Sequence, residues 1–596
     1  MTGQRTNGHQ SRNKYSKLVF IALILLSSTL VIQLYQILSR SRIGFGLTDE
    51  AYGLSFAVDR AKNGQSGNTP LFSDVTSIFL SLVNFNIYYF RLVGLILISI
   101  LIAFLVRAFM RIHRLRDSKI WLPDILLLSV TFLTIPANFR YLLITPSYQW
   151  IVLTLSIFVV LLILLMVNFE IKNISLFAVL SLSIFCVALA RPTSGIMIWL
   201  LVLLYTYLNA GTYGRYVFNI LNVILVILFS FYILANWFAV KSFAESYAYL
   251  RHLDPKGSNL LNEIWDVGIS LFFVWSIFFV GHLTFRSALV DERTRTLIRK
   301  TVLAFLYIVI LASLVLKGLI SSADIPHLLL MIYAFLTGGL FALKKGGKTN
   351  LGILLLTSAP VLTQFGSNTS ASYLVSPLMI SLTLFASFSR NVQSSVIIKK
   401  GYSLEGVKIG TQILLSISLL CFVVSQSTAS YETHLPSKNL MKDSVSGLYY
   451  SPKKLENIQE FRRQAKQSGE YTGQRILDLS FWHPGAILYL GGLRYPFGID
   501  NKVFRSTLDL QIDRSVRKIK LQSSKQLPPI IVETSMTVPI AKCLKLSEYI
   551  DDSELRNLII LNSFDPNVLN SAVYISDRVD VTLYPRNLAY LVPCKL

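Results

Sequence analysis

Two adjacent carboxylates, Asp49 and Glu50, stand in the segment Gly46-Leu47-Thr48-Asp49-Glu50-Ala51-Tyr52, just past the first long apolar run of the chain. Thr48 or Asp49 is suited to cap a short helix reaching to about Lys62. On that reading the pair supplies ordinary N-terminal helix charge. Its place beside a membrane surface gives a second reading, because an acid there meets the headgroup of a lipid-linked molecule. Neighbouring residues on a helix point about 100° apart, so one of the two faces a given site. The cations Arg91, Arg140, Arg191, Arg251 and Lys317 lie at the ends of apolar runs or in loops on the same side, where positive charge stabilises an anion. Arg191, in Arg191-Pro192-Thr193-Ser194-Gly195, marks a break between two runs; its other reading is a side chain reaching to headgroups. Lys317 lies inside Leu314–Ile320, where a charge is costly unless it is paired or faces a cavity. Arg140 and Arg251 have more water around them and read equally as solvated loop charge. Asp324 and His327, in Ala323-Asp324-Ile325-Pro326-His327, form a polar cluster or a helix cap. Gln364 and Asn368, in Gln364-Phe365-Gly366-Ser367-Asn368, hydrogen-bond a polar ligand or make a turn.

The elements that hold these residues follow from composition. Of 596 residues 53% are hydrophobic and only 15% charged, against about 25% charged in a soluble protein; the mean hydropathy is +0.55. A bilayer core takes about 20 apolar residues of helix, because unpaired backbone groups are too costly in hydrocarbon. The first such run, Leu18–Leu38, follows Arg5, Arg12, Lys14 and Lys17. It is too long for a signal-peptide core and has no small-residue cleavage site after it, so it reads as a retained anchor. Further spans fall near 88–108, 121–137, 149–167, 174–190, 196–210, 216–240, 264–285, 301–320, 325–343, 350–366, 371–388 and 405–427. The expected fold is thus an α-helical polytopic bundle of about thirteen spans. Basic residues gather in alternate segments, such as Arg107 to Lys119, Arg286 to Lys300, and Lys344, Lys345 and Lys348. That bias puts the N-terminus inside and the C-terminus outside. Most of the net charge of +24 is then topology information held against anionic headgroups, and no nucleic-acid partner is implied.

After Gln426 the composition changes. Short apolar segments at Arg475–Leu479, Pro529–Glu533, Leu558–Leu561 and Val579–Leu583 read as strands between helix-compatible stretches. The chain is expected to divide into a multi-pass membrane domain, 1–429, and an extracytoplasmic soluble α/β domain, 430–596. Cys186 and Cys421 lie in apolar spans, where a thiol is commonly a small hydrophobe. Cys543 and Cys594 both fall in the outer domain, where disulfides persist, and are expected to pair. Gly346-Gly347-Lys348-Thr349 ends like a phosphate loop, but the first glycine position is Ala342. Asp124 is read as a hydrogen-bonding group near the inner end of its span. Trp482, His483, Tyr495 and Phe497 offer stacking surfaces for a ligand or outer-domain core.

With the acid pair after the first span, a long first outer loop and a C-terminal outer domain, the chain resembles the GT-C superfamily of integral-membrane glycosyltransferases. The segment Asp478-Leu479-Ser480-Phe481-Trp482-His483-Pro484-Gly485, followed by Tyr489-Leu490-Gly491-Gly492, is similar to a pattern in some bacterial members. The resemblance implies an enzyme of the cell (plasma) membrane. It would move a sugar from a polyprenyl-phosphate carrier to a hydroxyl of a glycan, lipid or protein acceptor on the outer face, with inversion. Asp49 would be the general base with Glu50 second. Arg191 and Lys317, then Arg140 and Arg251, would meet the phosphate, with Asp324, His327, Gln364 and Asn368 as further binding residues. The outer loop Asn138–Tyr148 lacks the second acid of some members, and no outer His/Glu set is present; no cofactor is implied and a divalent cation is not supported. The alternatives are a flippase for a lipid-linked oligosaccharide, against which stands the lack of a two-half repeat, and a non-catalytic envelope scaffold.

Overall fold

The computed structural model describes residues 6–43, 72–114, 122–139, 145–209, 212–235, 354–364, 375–389, 404–427, 440–450, 476–478 and 530–532, with a few isolated positions between them. The expected spans near 264–285, 301–320 and 325–343 and the strands Leu558–Leu561 and Val579–Leu583 lie outside the described residues. The chain falls into two compact units. One is Met1–Leu38, Leu95–Tyr232 and Lys256–Ala429; the other is Ser39–Gly94, Ile233–Pro255 and Ser430–Leu596.

The helices, in chain order, are α1 (Thr6–Ser41), α2 (Phe72–Leu82), α3 (Ile87–Arg114), α4 (Leu122–Leu133), α5 (Tyr148–Phe169), α6 (Ile174–Ala190), α7 (Pro192–Asn209), α8 (Thr212–Ala235), α9 (Ala359–Leu362), α10 (Val375–Ser389) and α11 (Leu404–Ser427). Among the described residues the stretches Lys17–Ser41, Ile87–Met110, Tyr148–Val167 and Tyr213–Ala235 are long and apolar enough to cross a membrane, with α4, α6, α7 and the end of α11 shorter.

Burial sorts the helices of the first unit. α5 has 72% of its most apolar window buried inside the protein, against 17% for the window in α8. An all-round apolar helix belongs in the interior, and α5 packs on α6, α7 and α9 while α4 packs on α10 and α11. α8 instead exposes Val223, Val226, Ile227, Phe231 and Leu234, a surface suited to hydrocarbon. On α1 the buried face runs through Ala22, Leu26, Thr29, Gln33 and Ile37, opposite exposed Phe20, Ile24, Val31 and Tyr35. Thr29 and Gln33 turn inward because lipid offers them no partner.

The links between helices follow an alternating path. Gln412, in the first half of α11, donates to Asp124 Oδ1 at the start of α4 over 2.7 Å, which is the hydrogen-bonding role read for that acid. Thr134, just past the end of α4, meets Ser376 at the start of α10 over 3.1 Å. The α5–α6 turn begins at Glu170, the C-cap of α5, in the left-handed region (φ 47°), and Asn173 caps α6 by accepting from Ser175 N–H. Two expected spans differ from their outlines. The run near 121–137 is helical only to Leu133 and continues in turns. The run near 350–366 is interrupted: residues 354–357 are helical, Ser358 is not, and α9 has only four residues. Pro360 has no amide proton and its ring crowds the preceding turn, so the helix does not run through it unbroken.

In the second unit, β1 (Met441–Lys442) and β2 (Tyr449–Tyr450) form an antiparallel hairpin. Its turn is held by Asp443, whose carboxylate accepts from the Ser446 N–H (3.0 Å) and hydroxyl (2.5 Å), with Gly447 at φ 71°. The hairpin meets the exit of α1 and the start of α3. Tyr449 N–H donates to Arg42 O (2.8 Å), Ile43 bridges Tyr449, and Tyr88 N–H donates to Ser446 O (3.2 Å). Further along the chain β3 (Ile476–Asp478) and β4 (Ile530–Val532) pair in parallel, Ile476 beside Ile530. Both lie inside segments read as strands, and a parallel pair requires a crossover connection between its strands.

Candidate functional site

The residues around Arg191 are brought together by the break between α6 and α7. Pro192 opens α7, a position that suits a residue without an amide proton. It also disfavours the helical conformation in the residue before it, so Arg191 is extended at φ −153°, ψ 105°. Gly195 lets α7 fold back closely on α6, because a Cβ there would collide with the backbone and methyl of Ala188. The Arg191 side chain, 6% exposed, is thereby turned into the first unit. Its guanidinium lies 4.9 Å from the ring centroid of Tyr148, the first residue of α5. Arg191 Nη1 donates to Thr363 O over 3.2 Å, and the Ser194 hydroxyl donates to the same carbonyl over 2.5 Å. That carbonyl stands at the end of interrupted α9, where helical acceptors go unused by the helix itself.

Helix ends of both signs meet in this cluster: Arg191 is also the C-cap of α6, and the carbonyl it holds belongs to Thr363, the C-cap of α9. Arg191 touches the first residue of α5 and immediately precedes the first residue of α7. Helix N-termini carry unpaired N–H groups and partial positive charge and C-termini the opposite, so the guanidinium is held by the end of α9 and lies beside the start of α5. No carboxylate pairs with Arg191 among the described residues, and its Nη2 is buried without a partner. Ser147, the N-cap residue of α5, makes no capping bond, and its hydroxyl is likewise buried and unpartnered. The arrangement can therefore meet an oxyanion through the unpaired nitrogen of a buried cation. It carries no nucleophile or base of its own.

Of the expected site residues, Arg191 and Gln364 are described. Gln364 is buried next to Thr363, with its backbone N–H on Val361 O. Asp49, Glu50, Arg140, Arg251, Lys317, Asp324, His327, Asn368, Cys543 and Cys594 lie outside the described residues. Arg91, read from sequence as a cation for a leaving group, has another use. It is fully buried, and its Nη1 donates to Ser41 O (3.2 Å) and Ile43 O (3.3 Å) at the exit of α1. Sequence reasoning missed Tyr148, Ser194 and Thr363. The signals present were Pro360, which breaks an apolar run, and Ser147 before Tyr148 at a helix start.

No protein-family model matches the chain, and no curated protein matches it. Among solved structures it is similar to an archaeal oligosaccharyltransferase, AglB from Archaeoglobus fulgidus, solved with an inhibitory peptide and a dolichol-phosphate. The identity is 10% and the TM-score 0.41, over 79% of this chain and 64% of that one, so the chain spans less than two thirds of that structure's length.

Proposed function

We propose that the protein is a membrane glycosyltransferase of the GT-C type, moving a sugar from a polyprenyl-phosphate carrier to an acceptor hydroxyl at the outer membrane face. The observation that supports this reading is the buried Arg191 guanidinium, between the start of α5 and the end of α9, with one nitrogen unpaired and no carboxylate partner among the described residues. Such a site suits a phosphate presented at the level of the membrane. In the reaction Asp49 takes the proton of the acceptor hydroxyl, whose oxygen attacks the anomeric carbon. The bond from that carbon to the phosphate oxygen breaks, and the configuration inverts. Charge that develops on the departing phosphate is met by Arg191, and a fixed cation in a water-poor site stabilises it strongly. Lys317, Arg140 and Arg251 are candidates for further phosphate contact, and Glu50 is the second choice for the base.

Purified protein in lipid nanodiscs, given polyprenyl-phosphate-linked sugars and a hydroxyl acceptor, tests this. Asp49→Asn is expected to lower turnover about a thousandfold while the protein is expressed at its normal level. Arg191→Gln is expected to weaken binding of a short prenyl phosphate by about 10–100-fold. Transfer by Asp49→Asn at the unmutated rate would remove the base assignment. Movement of the lipid-linked sugar across vesicles with no new glycosidic product would identify a transporter instead.

A further inference from the structure

The hairpin β1–β2 lies beyond α11 in the chain, yet it grips both ends of the segment that joins α1 to α3. At the α1 end three successive carbonyls are taken. Arg91 Nη1 on α3 donates to Ser41 O (3.2 Å) and Ile43 O (3.3 Å), and Tyr449 N–H donates to Arg42 O between them (2.8 Å). Ile43 also pairs with Tyr449 in a parallel bridge. At the α3 end Asn84 and Phe85 stand in the left-handed region, at φ 52° and 61°. That region is unfavourable for a bulky side chain and persists where neighbours hold the chain in it. The hairpin turn is such a neighbour. Ser446 O accepts from Tyr88 N–H over 3.2 Å, and Gly447, at φ 71°, lies close against the Asn86 side chain. A Cβ on residue 447 would stand 2.5 Å from Asn86 Oδ1, the atom that accepts from Tyr89 N–H at the start of α3 (3.1 Å). All of these residues belong to the second unit.

We infer that the β1–β2 hairpin positions the segment between α1 and α3 for reaction, with Tyr449, Gly447 and Arg91 as positioning residues for the acid it carries, Asp49. The inference rests on the reading of Asp49 as the base. Asp49 lies six residues past Ile43. Six residues of chain reach about 20 Å at most, so where Ile43 is held limits where Asp49 acts. A base has to stand within hydrogen-bond reach of its proton, and a displacement of about 1 Å can cost a hundredfold in rate. Fixing both ends of a segment removes conformations that a single anchor leaves open. The hairpin turn is braced for this, because the Asp443 carboxylate holds both the N–H and the hydroxyl of Ser446. Residues that follow the last helix of the bundle thereby act on the reaction without touching the substrate.

The test uses full-length protein in lipid nanodiscs and the variant Gly447→Ala, whose added methyl pushes Asn86 out of place. Spin labels at Asp49→Cys and Lys442→Cys, with the other reactive cysteines replaced, read the position of the segment by electron resonance without any ligand. Their distance distribution is expected to be narrow with Gly447 present and to broaden in Gly447→Ala. In the transfer assay above, unlabelled Gly447→Ala is expected to lose about 10–100-fold in kcat, with the donor KM and farnesyl phosphate binding unchanged. Adding Asn86→Ser, a shorter cap residue that makes room for the methyl, is expected to restore most of both. A distribution that Gly447→Ala leaves unbroadened would overturn the inference. So would farnesyl phosphate binding that falls in step with kcat, since the variant would then have lost its fold at large. Asp49→Asn reads the base separately. Full transfer there with a broadened Gly447→Ala distribution would remove the base and leave the hold on the segment standing. Lost transfer there with an unbroadened distribution would remove the hairpin alone.

Discussion

Arg91 and Arg191 are both buried arginines at helix ends, one in each compact unit, and what meets their guanidinium groups differs. Arg91 is given over to the chain itself: one nitrogen takes two carbonyls at the exit of α1, and none of its nitrogens is among the buried atoms without partners. Arg191 meets one carbonyl and one ring, and keeps a nitrogen unpaired. The Thr363 carbonyl that Arg191 meets also has a second donor in Ser194. One arginine thus closes a structure and the other leaves capacity for a ligand. A buried charge with all its hydrogen bonds made is strongly destabilising to remove. A buried polar atom left without a partner calls for an ion, water or ligand to satisfy it.

The largest effect expected from this contrast is at Arg91. Arg91→Leu strips Ser41 O and Ile43 O of a shared donor, and unpaired buried acceptors cost enough that a loss of about 3 kcal/mol is expected. Thermal unfolding in detergent micelles measures it. A melting temperature equal to wild type would mean that water replaces the guanidinium, and the contrast with Arg191 would collapse. Next in size is Gly195→Ala. Its added methyl has to push apart α6 and α7 against the Ala188 backbone, and overpacking of this kind costs about 2 kcal/mol. Farnesyl phosphate binding should fall with it, because the same close approach turns Arg191 inward. Normal binding in a destabilised Gly195→Ala protein would separate the helix crossing from the site.

The sequence carried some of this and not the rest, for physical reasons. Length and apolarity located α5 and α6 well, since a spanning helix has to satisfy its own backbone. Pro192 marked the break at Arg191 because it acts locally on the residue before it. The strands Ile476–Asp478 and Ile530–Val532 fell inside apolar segments visible in the sequence, but their parallel pairing depends on the path between them. The partner of Arg191 was not legible, because Thr363 is 172 residues away and nothing local records which carbonyl will lie there. Arg91 was misjudged for a related reason. At the start of a span a charge reads as interfacial, and its two carbonyl acceptors come from the exit of α1, 48 and 50 residues earlier.

The smallest effects expected belong to the carbonyl that Arg191 and Ser194 share. Arg191→Gln removes one of two donors to Thr363 O and leaves the other, so a stability change within about 1 kcal/mol is expected. The same holds for Ser194→Ala. The double variant leaves the carbonyl bare inside the bundle, so the two changes should not add, with a coupling of about 1 kcal/mol. Stability of the four proteins, measured by thermal unfolding without ligand, completes the cycle. If the double variant loses only what the two single ones lose together, neither donor substitutes for the other, and Arg191 is as much a part of the scaffold as Arg91. If the coupling appears, the hold on Thr363 O does not depend on the guanidinium. Arg191 can then turn toward an arriving phosphate while Ser194 keeps the end of α9 in place.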